Sequence, residues 1–277
     1  MRGPLSTRTW ARASHMPVLN DSLRRPRAMT EPGLAAARYL ARVRRKAGSP
    51  GTGNHYRASG GGPNAGAAGA AGTQNLRAGS GGHVVMFHRD GDEFAGLVSA
   101  YLLGALREGG AAIVIASPEH RRAIRARLAQ AGTDVAAAEA AGACVTLDAL
   151  ETVLRCMVAD WPDPASFWRV ISPLIRGATE AFKPVHVLGE MVALLWDSGE
   201  VNAGIEVEAM WHEMAAQYPF SMLCAYPVPS VRGDQDEDSL AEVCRIHSSA
   251  AGAIPVHTSP QAESRSSRCP GSYIAAR

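Results

Sequence analysis

The stretch "HVVMFHRDGDEF", residues 83–94, decides the fold. Six apolar or histidine residues form a short buried-type strand, the run Arg89-Asp90-Gly91-Asp92 turns the chain, and Phe94 opens a helical pattern. Strand, tight turn, helix is the junction at which many nucleotide-binding folds hold a phosphate. A phosphate loop needs glycines that free backbone N–H groups, a lysine for charge and a Ser or Thr for magnesium. Residues 88–94, "HRDGDEF", carry one glycine, no lysine and three acids that repel phosphate. ATP hydrolysis is therefore not expected here, and the slot above the strand is expected to take an uncharged or weakly polar ligand.

Outward from this junction the pattern repeats. Residues 92–108 place Phe94, Leu97, Val98, Tyr101, Leu102 and Ala105 at helical spacing and end at Gly109-Gly110. "AAIVIA" (111–116) reads as a second strand, and Ser117-Pro118-Glu119 as the capped start of a helix that continues to Gly132. "ACVTLDA" (143–149) is a third strand, followed by an amphipathic helix to about Ala159. Trp161-Pro162-Asp163-Pro164 breaks the chain before a helix over 165–182. "VHVLGEM" (185–191), a helix over 202–217 and "FSMLCAY" (220–226) complete the alternation, and "LAEVCRIHSSA" (240–250) reads as a last helix. Strands alternating with helices imply crossover connections, hence an α/β three-layer sandwich around a mostly parallel sheet. Ligands of such sheets bind at the carboxyl ends of the strands. The places to search are Phe87 to Asp92, Ser117 to His120, Leu147 to Asp148, Gly189 to Met191 and Ala225 to Pro227.

Composition divides the chain. Residues 1–82 hold 13 of the 28 Lys and Arg with only Asp21 and Glu31 as acids, a charge of +11; residues 83–277 hold 15 basic and 24 acidic residues, or −9. The formal +2 is the sum of two unlike pieces. From Gly51 to Gly82, 11 of 32 residues are glycine with no Val or Ile, too little side chain to offset the entropy of ordering the backbone. Residues 1–82 are thus expected to be a disordered basic extension and 251–277 a disordered tail, around one domain at 83–250. Within the extension, "LAAARYLARVRRK" (34–46) has the form of a short basic helix, open to several readings: an arm for nucleic acid or anionic membrane, a transit peptide, a partner-binding helix, or an extension without function. Nucleic acid is a partner only through this arm.

Five cysteines (Cys144, Cys156, Cys224, Cys244, Cys269) form no C-x-x-C pair, so neither a disulfide framework nor a zinc knuckle is indicated and a reduced, cytoplasmic setting is expected. No apolar run approaches the roughly 18 residues of a membrane span, and no membrane role is expected of the domain. Mean hydropathy is −0.08.

The order of motifs resembles the MEDS sensory domain, a family of methanogen and methylotroph regulators of the DcmR type. "HVVMFHRDGDEF" is similar to its opening strand, which commonly reads His-x-x-x-Phe-Tyr before an acidic turn. "GGAAIVIASPEHRRAIRARL" (109–128), "VHVLGEMVALLWDSG" (185–199), "VEAMWHEMAAQYPFSMLCAYP" (207–227) and "CRIH" (244–247) match later blocks in order. The resemblance implies a RecA-like fold without its phosphate loop, a role in sensing small organic molecules, and fusion to a histidine kinase or a DNA-binding domain in transcription regulation; a regulatory partner of the histidine-kinase or sigma-factor type is expected. The chain departs from the pattern at Met86, His88 and His212, where Gln, Tyr and Asn are common. No kinase or helix-turn-helix segment is visible, so the output partner is expected to be a separate protein.

Candidate ligand-binding residues are Phe87, His88, Arg89, Glu190, Trp196 and Glu208. Glu190 lies beside Leu188, Met191 and Leu194, so it recognises a ligand or anchors a neighbouring backbone or Arg. Glu208 shares a helical face with Trp211 and His212, though Trp211 also fits packing against the sheet and Trp196 fits the core. His83 and His88, five apart on one strand, point to opposite faces and cannot chelate together. His88, His186 and Glu190 would form a two-His, one-carboxylate site only if their strands were neighbours. Cys144 and Cys224 lie in apolar strands, where a thiol is normally inert. No G-x-S-x-G elbow or H-E-x-x-H pair occurs, so no catalysis, metal or cofactor is expected. The domain is expected to bind rather than turn over, with a protein-interaction module free of small ligand as the rival reading and a metal-dependent or cysteine enzyme as a third.

Overall fold

A computed structural model describes residues 82–88, 91–227, 234–247 and 249–252. The expected disordered flanks, 1–82 and 251–277, lie outside the described residues apart from Gly82 and the last two residues of the final strand. So does Arg89.

The chain runs β1 (His83–His88), α1 (Gly91–Arg107), β2 (Ala111–Ala116), α2 (Pro118–Gln130), α3 (Val135–Ala140), β3 (Cys144–Asp148), α4 (Ala149–Arg155), β4 (Met157–Val158), β5 (Trp161–Pro162), α5 (Pro164–Ala181), β6 (Val185–Gly189), α6 (Met191–Asp197), α7 (Val201–Gln217), β7 (Ser221–Pro227), α8 (Asp234–Ile246) and β8 (Ser249–Gly252). Six strands form one sheet in the order β3-β2-β6-β7-β1-β8, and every neighbouring pair is parallel. Helices cover both faces, giving the three-layer α/β sandwich that the alternation of elements predicts and the RecA-like layering that the resemblance implies. All six residues of β1 and of β2 are buried, which is why both read as continuous apolar runs.

Side-chain parity assigns the faces. The register aligns His83, Val85 and Phe87 of β1 with Met222, Cys224 and Tyr226 of β7, so these six share one face. His88 is on the other, where its ring lies 4.6 Å from that of Phe94 on α1. His186 is on this second face too, stacked at 4.4 Å on Tyr101 of α1. The predicted opposition of His83 and His88 is what the strand delivers.

Local signals set the helix ends. Ser117 caps α2 by accepting the His120 N–H at 3.2 Å, and Pro118 occupies the first turn. Gly109 and Gly132, which follow α1 and α2, have φ of 82° and 86°, a conformation only glycine adopts without cost. Four features differ from the sequence reading. The helix expected to reach Ala159 stops at Arg155, because Ala159 and Asp160 adopt φ of 49° and 64° and close a β4–β5 hairpin. The strand expected over 185–191 ends at Gly189. The apolar run after it is the short helix α6, since an all-buried run carries no period to tell strand from helix. α3 and β8 have no counterpart in the sequence reading.

Candidate functional site

The carboxyl ends of β1, β2 and β6 converge on the α1 face. Glu190, directly after β6, is the cap residue of α6, yet its side chain makes no cap bond to that helix. It reaches across to β2, accepting the backbone N–H of Ser117 at 2.8 Å through Oε2 and meeting His120 Nδ1 through Oε1. The carboxylate thus sits at the N-terminus of α2, where unpaired N–H groups and the helix dipole favour negative charge. Burial alone would lower the His120 pKa, but the hydrogen bond and charge of Glu190 outweigh it and hold the imidazole above its ordinary value of 6.5. The other side of the His120 ring lies 4.2 Å from Phe94, and the His88 ring stands 6.3 Å away, edge-on. A carboxylate–histidine pair with an aromatic wall therefore spans three strand ends. The first turn of α1 remains acidic, with Asp92 bound by Arg127 at 3.0 Å.

Among the expected site residues, His88 and Glu190 belong to this constellation. Phe87, Trp196 and Glu208 do not; they lie on the opposite face of the sheet around Tyr226. The Phe87 and Tyr226 rings are 5.8 Å apart, Trp196 meets Tyr226 edge-on at 5.3 Å, and the Tyr226 hydroxyl donates to Glu208 Oε1 at 2.6 Å. The site of His88, His186 and Glu190 is not assembled. β7 separates β1 from β6, and His186 Nδ1 is engaged by the Tyr101 carbonyl at 2.8 Å. Trp211 is core, packed edge-on at 5.2 Å against Phe167, and His212 is exposed.

Two features of functional weight lie beyond the expected site. His120 closes the searched stretch Ser117 to His120 but is not among the candidate ligand residues, because its partner is 70 residues away and only the β2–β6 pairing brings them together. The second is a cluster beneath Glu208. His83 Nε2 and Cys224 Sγ each lie 3.2 Å from Glu208 Oε2, and His247 Nε2 lies 3.3 Å from it. Burial would raise the Glu208 carboxyl, but the neighbouring His247 and His83 rings prevail and hold it well below the ordinary range. Burial lowers His83 and raises the Cys224 thiol and the Tyr226 hydroxyl. Parity along β1 and β7 could have placed His83 with Cys224; nothing local connects either to Glu208 or His247. The described cysteines are buried and form no disulfide, and burial pushes the Cys144 thiol up to about 11 and Cys156 to about 12, far from nucleophilic readiness.

The structure is a parallel α/β sheet with an acidic first turn on α1 and a histidine–carboxylate pair at its strand ends. The family model described as MEDS, the MEthanogen/methylotroph, DcmR Sensory domain, matches residues 82–248, and the chain belongs to that family. Membership points to a role in signal sensing. Among curated proteins no relative matches the chain. No helix among the described residues is long and apolar enough to cross a membrane.

Proposed function

We propose that the domain is a non-catalytic sensor which binds a small organic ligand at the strand ends and passes the signal to a separate regulatory protein, of the histidine-kinase or sigma-factor type. The observation that supports this reading is the Glu190–His120 pair. It tethers α2 to the β6–α6 turn, has one flank against Phe94 and His88, and leaves His120 22% exposed. A weakly polar molecule seated on that aromatic flank and hydrogen-bonded to either member of the pair would alter the tether. Unequal affinity of the ligand for two arrangements of the surrounding helices would then shift an equilibrium, which is all that signalling requires.

The test is thermal unfolding of the full chain against short alcohols, ketones, dichloromethane and toluene, with magnesium-ATP as comparison. A ligand at about a hundred times its dissociation constant stabilises by roughly 2.7 kcal/mol, about 5–10 °C for a domain of this size. A rise with an organic compound that Glu190→Gln abolishes supports the proposal. A rise with magnesium-ATP alone overturns it.

One observation favours the protein-interaction reading. Val158 and Trp161, paired across the β4–β5 hairpin, are 55% and 48% exposed and are large apolar side chains left in water. Exposed tryptophan is characteristic of protein contacts, and this hairpin is the surface on which a regulatory partner would be received. No response to any organic compound, with partner capture lost in Trp161→Ala, would make this the primary function.

A further inference from the structure

We propose that His83, Glu208, Cys224 and His247 are the four ligands of a buried transition-metal ion of the zinc class, which fastens the last helix to the sheet. The site lies on the face opposite the Glu190–His120 pair and does not depend on the sensing role proposed above.

Four of its six donor–donor separations match those of a tetrahedral site. Metal–donor distances of about 2.0–2.3 Å put neighbouring donors roughly 3.3–3.8 Å apart. Four of the six edges measure 3.2 to 3.3 Å: His83 Nε2 to Cys224 Sγ, His83 Nε2 to Glu208 Oε2, Cys224 Sγ to Glu208 Oε2, and His247 Nε2 to Glu208 Oε2. All four donor atoms lie within 4.8 Å of one another. The ligands come from β1, α7, β7 and the residue after α8.

The surroundings fit a metal better than a hydrogen-bonded cluster. His247 Nδ1 stands 2.6 Å from the Val243 carbonyl and must donate its proton there, which leaves the Nε2 lone pair facing the centre. Ligating histidines are fixed by this kind of outer contact. Nε2 meets no donor in hydrogen-bonding geometry among the described residues, although Glu208 Oε2 is 3.3 Å away. Without a cation, a lone pair faces a carboxylate, or His247 carries a full charge in a site where its side chain and that of Glu208 are wholly buried. Glu208 is held in turn. Tyr226 donates to Oε1, so Oε2 alone is presented to the other three donors.

Charge balance agrees. Binding a divalent ion releases the Cys224 thiol proton to solvent, so Cys–SH and M²⁺ become Cys–S–M⁺ and H⁺. The thiolate, the carboxylate and the ion then sum to zero, which lowers the desolvation cost of burying them. Thiolate and imidazole donors select zinc or cobalt over magnesium or calcium, and four protein ligands leave no open position for substrate, so the role is structural. Residues 83 and 247 are 164 apart in sequence, so the ion would clasp the two ends of the domain.

The experiment uses the full chain, stripped with a chelator and titrated with Co²⁺ and then Zn²⁺. The expected result is one equivalent of Co²⁺ with tetrahedral ligand-field bands and a thiolate charge-transfer band, displaced by Zn²⁺ and not by Mg²⁺. Cys224→Ser loses the charge-transfer band, and His247→Gln weakens binding by more than about 100-fold, beyond the loss typical of outer-shell partners. His212→Ala, whose exposed ring lies 6.2 Å from that of His83, binds as the wild type does. Folded wild-type chain that takes up no Co²⁺, or takes it up without the thiolate band, or binds equally in Cys224→Ser and His247→Gln, overturns the proposal. Should either variant fail to fold, zinc-edge X-ray absorption of the wild type decides: one sulfur with nitrogen and oxygen neighbours supports the site, and any other shell overturns it.

Discussion

Glu190→Gln removes the charge from the strand-end pair while leaving an oxygen for the Ser117 N–H, so its effect isolates the interaction with His120. A hydrogen bond to a charged group contributes about 1.5–3 kcal/mol. His120 is 22% exposed, and solvent screening places this pair at the lower end, about 1.5 kcal/mol. For a domain of this size that is about 3–6 °C in Tm. The sign with pH follows from the direction of the shift. His120 titrates above its ordinary 6.5 in the folded chain, so the folded state holds the proton more tightly than the unfolded state. The stabilisation is complete below about 6.5 and is lost as pH rises through the folded value. Thermal unfolding of wild type and variant from about pH 5.5 to about pH 8.5 should show a gap that is widest at the acid end and narrows toward the alkaline end. Proton NMR should show His120 titrating lower in the variant. A gap that is flat with pH, or widens as pH rises, refutes the ion-pair account of this site.

Three further predictions concern the scaffold. A Cβ at Gly110 would stand 1.9 Å from the Pro184 carbonyl oxygen, where neither backbone can yield, so Gly110→Ala should cost about 3 kcal/mol or more in denaturant unfolding. At Gly96 in α1 the nearest atom is an Arg127 Nη1 at 3.8 Å, and Gly96→Ala should instead stabilise by about 0.5–1 kcal/mol; the opposite order of the two would show the β2 entry to be misplaced. Asp148 caps α4 by accepting the Glu151 N–H at 3.0 Å and pairs with Arg121 at 2.9 Å, so Asp148→Ala should lower stability by about 1–2 kcal/mol. A loss below about 0.5 kcal/mol, the ordinary range of surface substitutions, would refute the cap.

The legibility of this protein follows the range of its interactions. β1 and β2 are legible to the residue because buried parallel strands are unbroken apolar runs between turn signals, and the start of α2 is legible because Ser117-Pro118 marks it in adjacent residues. The hairpin after α4 escaped because an Ala-Asp turn at positive φ has no glycine to announce it. The strand-end site was half legible. His88 and Glu190 were found by their position after strands, but His120 could only follow once β2 was known to lie beside β6. Strand alternation alone puts Phe87 on the face opposite its neighbour His88, whereas Trp196 and Glu208 lie on helices whose side of the sheet the sequence does not fix.

What the sequence determined by itself was the alternation of strands and helices, the acidic turn that removes the phosphate grip, and the opposite facing of His83 and His88. These are set by periods of two and 3.6 residues and by turn chemistry, all within a few positions of one another. The tertiary structure decided which strands are neighbours. Order in the sheet fixes the pairing of Glu190 with His120, the separation of His88 from His186, and the meeting of His83, Glu208, Cys224 and His247. Strand order is settled by how the crossovers pack and bury their apolar faces, a property of the whole chain that no local window of residues contains.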